Sequence, residues 1–228
     1  MQKKNLFSIA IDGPAGAGKS TVAKALAKAL DAMYLDTGAM YRAFGLAMLR
    51  AGVDLDDAEA VKAGLDAADI GVEYLDGAQH IFLGGEDVSE AIRQPEVSAA
   101  ASAISAVPEV REHMVALQRR IAEGHCVVMD GRDIGTVVLP NATLKIYLTA
   151  SAEVRADRRC KELQAKGKPE PYEQVLRDII ERDYRDMHRE ASPLRAAEDA
   201  RTVDTSDMTR DEVIEALRRM AVETCKLA

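Results

Sequence analysis

The segment Gly13-Pro14-Ala15-Gly16-Ala17-Gly18-Lys19-Ser20 follows a short apolar run, Leu6–Ile11, and precedes a stretch rich in Ala, Leu and Lys, 19–31. It fits GxxxxGK[ST] at every fixed position, in the strand–loop–helix context that the motif requires. The residue types have a mechanical reason. Glycines let the backbone wrap a phosphate with its N–H groups, and the N-terminus of the following helix adds partial positive charge. Lys19 can reach β- and γ-phosphates, and Ser20 can ligate Mg²⁺. Thr21 follows directly and offers a second hydroxyl; Ser20 fits the general motif better. The segment predicts a nucleoside triphosphate site formed by residues 13–21, without fixing the reaction.

The rest of the chain reads in the same architecture. Met33-Tyr34-Leu35 is a second short strand and 39–51 a second helix stopped at Gly52. Strand–helix–strand–helix order favours a parallel sheet with helices on its faces. Val72–Leu75 and Gln79–Leu83 flank Asp76-Gly77, which predicts an antiparallel hairpin. Glu96–Ala106 and Glu109–Glu123 read as helices separated at Pro108, and Cys126–Met129 and Leu144–Leu148 as further buried strands. Residues 152–165 and 172–190 read as charged helices joined by Lys166-Gly167-Lys168-Pro169-Glu170-Pro171, a loop by composition. Thr202–Asp204 is a last short strand, and 210–227 a closing helix. The expected fold is α/β: a three-layer core with a central parallel sheet and helices on both faces. One domain is expected over 1–228, with an insertion at 65–105 carrying the hairpin.

Composition narrows the function. A chain of 228 residues buries about 70% of its unfolded surface and needs no staple. Apolar residues make up 47% and charged residues 30%, which excludes a disordered or fibrous chain. No apolar run approaches the roughly 18 residues of a membrane span. Lys3 and Lys4 precede only a short apolar run, so no secretory leader is expected. A net charge of −8 argues against a general nucleic-acid binder, yet a few arginines can still build a local cleft for anions. Cys126, Cys160 and Cys225 form no CxxC pair and predict neither a disulfide framework nor a zinc site. A cytoplasmic, reducing setting is expected.

Three further segments bear on the reaction. Asp36-Thr37-Gly38-Ala39-Met40-Tyr41-Arg42 follows the second strand, at the ligand end of a parallel sheet. Asp130-Gly131-Arg132-Asp133 ends the next apolar strand, with Asp130 where a Walker-B acid would stand. Arg182, Arg185, Asp186 and Arg189 have the spacing i, i+3, i+4, i+7 and are predicted to share one helix face. His80, His113, His125 and His188 show no metal spacing and read as structural or exposed. Met33, Met40, Met48 and Met129 read as core fillers.

Taken together, IDGPAGAGKST (11–21), LDTGAMYR (35–42), GEDVSEAIR (85–93), DGRDIGTVV (130–138) and ERDYRDMHR (181–189) give the chain a close resemblance to the bacterial cytidylate kinase family over nearly its whole length. The resemblance implies a P-loop kinase in which Mg²⁺·ATP sits on residues 13–21 and CMP or dCMP is the acceptor. It implies that Arg42, Arg132 and Arg189 hold the acceptor phosphate, that Ser102, Arg111 and Asp133 read the cytosine, and that Asp186 and Arg182 hold the ribose. Thr37 belongs to the same substrate set. It implies that 65–105 is a monophosphate-binding subdomain and that 155–171 forms a lid, with Arg155 and Arg159 contributing to ATP. Lys19, Arg42, Arg132 and Arg189 are then the residues expected to carry catalysis. Small-molecule substrates, no nucleic acid, no membrane and a monomeric state are expected.

The chemistry suits these residue types. The acceptor is a phosphate oxygen, already anionic near neutral pH because its second pKa is about 6. No general base is needed; arginines and a divalent cation offset repulsion between two anions. Two alternatives stand beside this one. A kinase for another small acceptor would keep the loop and change the pocket. A GTPase switch would need an N/T-K-x-D element, and Asp204-Thr205-Ser206-Asp207 is not one.

Overall fold

The computed structural model describes residues 6–75 and 77–226. Lys3, Lys4, Asp76 of the expected hairpin turn and Leu227 of the expected closing helix lie outside the described residues. In chain order the elements are β1 (Ser8–Asp12), α1 (Lys19–Ala29), β2 (Met33–Asp36), α2 (Thr37–Arg50), α3 (Ala58–Ala63), β3 (Ile70–Leu75), β4 (Ala78–Leu83), β5 (Glu86–Asp87), α4 (Pro95–Ile104), α5 (Pro108–Ala122), β6 (Val127–Gly131), β7 (Leu144–Thr149), α6 (Ala152–Ala165), α7 (Tyr172–His188), β8 (Arg201–Asp204) and α8 (Arg210–Cys225). A single 3₁₀ turn covers Ala91–Arg93, and a π-type turn covers Ile134–Val138.

The chain forms two compact units, one of the described residues through Tyr34 together with those from Gly124 on, the other Leu35–Glu123. The first is built on a five-stranded sheet of order β2-β6-β1-β7-β8. β1 lies between β6 and β7 and runs parallel to both, and β7 runs parallel to β8. That order brings the loops after β1, β6 and β7 out side by side at one sheet end, where α/β proteins place ligands. The α/β reading with a parallel central sheet is what the fold shows.

Burial explains the pattern. Ile9, Ala10 and Ile11 are fully buried, as a strand covered on both faces requires. α1 buries Val22, Ala23, Leu26 and Ala27 on one stripe. α8 buries Val213, Leu217 and Ala221 at four-residue spacing against the same core. Its start is fixed by a capping box: Glu212 N–H donates to the Thr209 hydroxyl and Thr209 N–H donates to the Glu212 carboxylate. α6 and α7 close on a small core of their own, Ala156, Leu163, Val175 and Ile179.

The second unit holds the expected hairpin, with β3 and β4 antiparallel from Ile70↔Leu83 to Leu75↔Ala78. A third strand, β5, pairs with β4 and was not expected, and neither was α3, which Asp57 caps by accepting Glu59 and Ala60 N–H. α2 starts two residues earlier than its apolar spacing suggests, because Asp36 caps it by accepting the Ala39 N–H at 2.9 Å. α2 and α4 approach closely at Gly45, where a Cβ would lie 3.0 Å from the Ala101 nitrogen. No helix among the described residues is long and apolar enough to cross a membrane.

Candidate active site

The phosphate-binding loop leaves β1 through three glycines with positive φ: Gly13 at 149°, Gly16 at 77° and Gly18 at 88°. Gly13 is sterically forced. A Cβ there would sit 1.9 Å from the Leu148 carbonyl oxygen of β7. Gly18 is the N-cap of α1, and nothing lies within 4 Å of its open side. Lys19 is 6% exposed, and its ammonium donates to the Pro14 carbonyl at 2.8 Å. Burial pushes that ammonium well below the usual lysine range, and the Arg132 charge beside it pushes the same way. The loop thus holds a desolvated cation under exposed Gly16 and Gly18, a place made for an anion.

Ser20 donates its hydroxyl to Asp130 Oδ2 at 2.8 Å, and Tyr34 donates to Asp130 Oδ1 at the same distance. Asp130 is buried. Thr21 is exposed, so Ser20 is the hydroxyl that the fold sets against the acid. A serine hydroxyl beside a carboxylate is an oxygen donor set suited to Mg²⁺, which takes one or two protein oxygens and fills its shell with phosphate and water. Among the described residues no group of three or more His, Cys, Asp or Glu could hold a metal unaided.

Beyond Gly131 the chain turns sharply. Asp133, at φ −143° and ψ 25°, leads into the π-type turn. Asp12, the last residue of β1, accepts the Ile134 N–H on Oδ1 and the Gly135 N–H on Oδ2, both at 2.7 Å. Burial pushes the Asp12 carboxyl up to about 6; the two N–H groups and Lys19 act against this, and Asp133 adds to it.

Arg132 donates from Nε to Asp186 Oδ2 at 2.8 Å. Burial would raise the Asp186 pKa, but Arg132, Arg182 and Arg189 together hold it below the usual range. Two arginines expected at the acceptor phosphate, Arg132 and Arg189, and one expected at the ribose, Arg182, therefore converge on one carboxylate. Their helical stripe is only partly realised. α7 ends at His188, and Arg189 has left the helix with an extended backbone, donating to the Ser192 carbonyl at 2.7 Å. Asp183 and Asp186 are the buried polar residues of α7, while Arg185 is exposed.

Arg155 is a buried bolt. Its guanidinium donates to both Asp183 oxygens, to Ala150 O, and to Ala15 O in the phosphate-binding loop at 3.0 Å. Arg159 lies outside this network, exposed and paired with Glu162 at 3.0 Å.

In the second unit Arg42 folds back on Asp36 at 3.0 Å. Gly38 makes the room, since a Cβ there would lie 3.1 Å from Arg42 Nη1. Thr37 is buried. Arg111 is also buried, stands over the Tyr41 ring at 5.6 Å and donates to the Ser105 carbonyl. Ser105 in turn donates to the Ser102 carbonyl at 2.9 Å, so Ser102 and Arg111 share one neighbourhood.

Sequence reasoning omitted Asp12, Tyr34 and Asp183 from the site, and used Asp130 only as a marker. Asp12 had a local signal, its place directly before Gly13. The others depend on partners 28 to 110 residues away.

The profile of the family described as cytidylate kinase matches residues 9–223 of this chain. A cytidylate kinase of Mycolicibacterium paratuberculosis is 55% identical over 96% of this chain and 97% of its own length. One from Caldanaerobacter subterraneus is 56% identical over 91% of each. One from Caldicellulosiruptor bescii is 50% identical over 96% of this chain and 97% of its own.

Proposed function

The chain belongs to the cytidylate kinase family, and we propose that the residues above run that family's reaction. The enzyme transfers a phosphoryl group from ATP to CMP or dCMP, giving ADP and CDP or dCDP. The observation that carries the residue assignment is the pairing, within one unit, of a buried Lys19 on the phosphate-binding loop with Arg132, Arg182 and Arg189 gathered on Asp186. One end of this arrangement suits a polyphosphate and the other suits a second anion.

In this reading residues 13–21 cradle the ATP phosphates, and Arg155 keeps the loop in shape from behind. Ser20 and Asp130 would hold Mg²⁺, which would supply charge neutralisation for the donor phosphates. Arg42, Arg132 and Arg189 hold the acceptor phosphate in line. Asp186 keeps the arginines spread before substrate arrives and, with Arg182, takes the ribose hydroxyls. Asp133 accepts from the cytosine amino group, while Arg111 and Ser102 meet its acceptor edge. Thr37 closes the substrate set. No side chain needs to remove a proton, because the attacking oxygen is already anionic. Residues 65–105 serve as the monophosphate-binding subdomain, and 155–171, with Arg159, as the lid that excludes water from the donor. The enzyme works as a monomer in the cytoplasm, on small nucleotides alone.

The test is a coupled ADP-release assay with Mg²⁺·ATP and CMP, dCMP, UMP, AMP, GMP or dTMP in turn, with a control lacking acceptor. Turnover largely confined to CMP and dCMP is expected. Turnover led by another acceptor, or equal without any acceptor, would overturn the pocket assignment.

A further inference from the structure

β1 and β6 stay in parallel register up to the pair Asp12↔Gly131. Past it the strands diverge, one into the phosphate-binding loop and the other into Arg132 and Asp133. The π-type turn that follows leaves its first N–H groups without partners inside the turn. Asp12 takes two of them, one on each carboxylate oxygen, at 2.7 Å. The dipeptide Arg132-Asp133 is thereby held at both ends: by strand pairing at Gly131 and by the Asp12 carboxylate at Ile134 and Gly135.

Fold stability does not account for a charge at this place. Asp12 is 4% exposed, and the attraction of the Lys19 charge is the smallest of the effects acting on its carboxyl. The nearby ammonium groups are committed elsewhere, Lys19 to Pro14 O and Lys145 to Asp199 at 2.8 Å. A buried carboxylate whose burial outweighs these attractions destabilises a protein at neutral pH. What it supplies is two acceptor oxygens side by side, which no neutral side chain offers. Gly135 completes the fit. A Cβ there would lie 3.3 Å from Asp12 Oδ2 and 3.1 Å from Lys145 Cδ, so this position is kept bare for the contact.

We propose that Asp12 is a positioning residue of the kinase, fixing Arg132 and Asp133 relative to the phosphate-binding loop that it precedes. It touches neither substrate. It sets the placement of the acceptor-phosphate arginine against the donor loop, and it rests on the reading of Arg132 as that arginine. A misplacement of about 1 Å at such a position can cost on the order of a hundredfold in rate.

The test uses the full chain with Asp12→Asn, Gly135→Ala, the double variant and Arg132→Lys. Asp12→Asn keeps shape and one acceptor; Gly135→Ala disturbs the same contact from the other side. Each single variant is expected to lower kcat/KM for CMP by about 10- to 100-fold. The KM for Mg²⁺·ATP should move less than about twofold, and the melting midpoint should fall by no more than about 3 °C. The double variant should be no worse than the poorer single one, as expected for one shared contact. Unchanged CMP kinetics, an equal loss toward CMP and ATP, or a loss that follows the melting midpoint would each overturn the proposal. Should Asp12→Asn fail to fold, Gly135→Ala decides by the same split. An unaltered CMP KM in Arg132→Lys would overturn the acceptor reading of Arg132 itself, independently of what Asp12 does.

Discussion

Burial holds the Asp12 carboxyl at about 6, above its ordinary 3.8, and this ties the residue to pH. The folded state holds the proton more tightly than the unfolded chain. The favourable contribution is therefore complete below the unfolded pKa and is lost as pH rises through the folded one. Between pH 4.5 and 7 the parent should lose roughly 2 kcal/mol of stability that Asp12→Asn, which cannot titrate, retains. Urea midpoints of both proteins at pH 4.5 and 7 measure the difference. Parallel pH profiles would show that Asp12 is charged without cost. Asp133, two positions before Gly135, is tested by base choice. Cytosine offers an amino group to a carboxylate, whereas uracil presents a carbonyl there. Asp133→Ala should reduce the preference for CMP over UMP in kcat/KM by at least about tenfold. An unchanged ratio would remove Asp133 from the base site.

The elements show how narrow the tolerances around the loop are. Gly13 follows the Asp12↔Tyr147 pair of β1 and β7, and the next carbonyl of β7, that of Leu148, occupies the space a Cβ would need. Neither strand can retreat, since Ile11, Ile146 and Leu148 are locked in the core. Gly13→Ala is therefore expected to destabilise by at least about 3 kcal/mol. Gly18→Ala meets nothing within 4 Å and only a positive φ of 88°, so about 1 kcal/mol is expected. Thermal melts of the pair check this, and equal melting of the two variants would contradict the packing argument. The same elements show what a sequence can tell. β1, α1, β6 and β7 were legible because each is an unbroken apolar run or a helical stripe bounded by Gly, Pro or Asp. β5 was not, because two residues carry no periodicity. The end of α7 was not, because the charged spacing continues through Arg189 while the helix stops at His188. Asp183 has no signal of its own within the charged stretch 172–190, and only the fold places Arg155 against it.

At the scale of the molecule a chain of net charge −8 handles two anionic substrates. The fold class and the phosphate loop were readable from one strand–loop–helix segment. Arg132, Arg182 and Arg189 were assigned to substrate only through the family resemblance, and their gathering on one carboxylate was not legible, because the charges on α7 and after β6 meet only in the fold. This cluster also decides how salt acts. Long-range steering by a positive surface is screened within about 10 Å at ordinary ionic strength, while partly buried charges are screened far less. Arg132 is largely enclosed against Asp186, and Lys19 is buried. The surplus acidic charge works against the approach of CMP, and salt weakens that repulsion as well. The two effects oppose each other and both are small. kcat/KM for CMP should change by less than about threefold between 50 and 250 mM KCl at constant free Mg²⁺, whereas a protein bound through many surface phosphate contacts loses about a thousandfold or more over such a range. A fall beyond about tenfold would mean that exposed cations, not the enclosed group around Asp186, draw the acceptor in. Initial rates at CMP concentrations well below KM, taken across the salt series, read this directly.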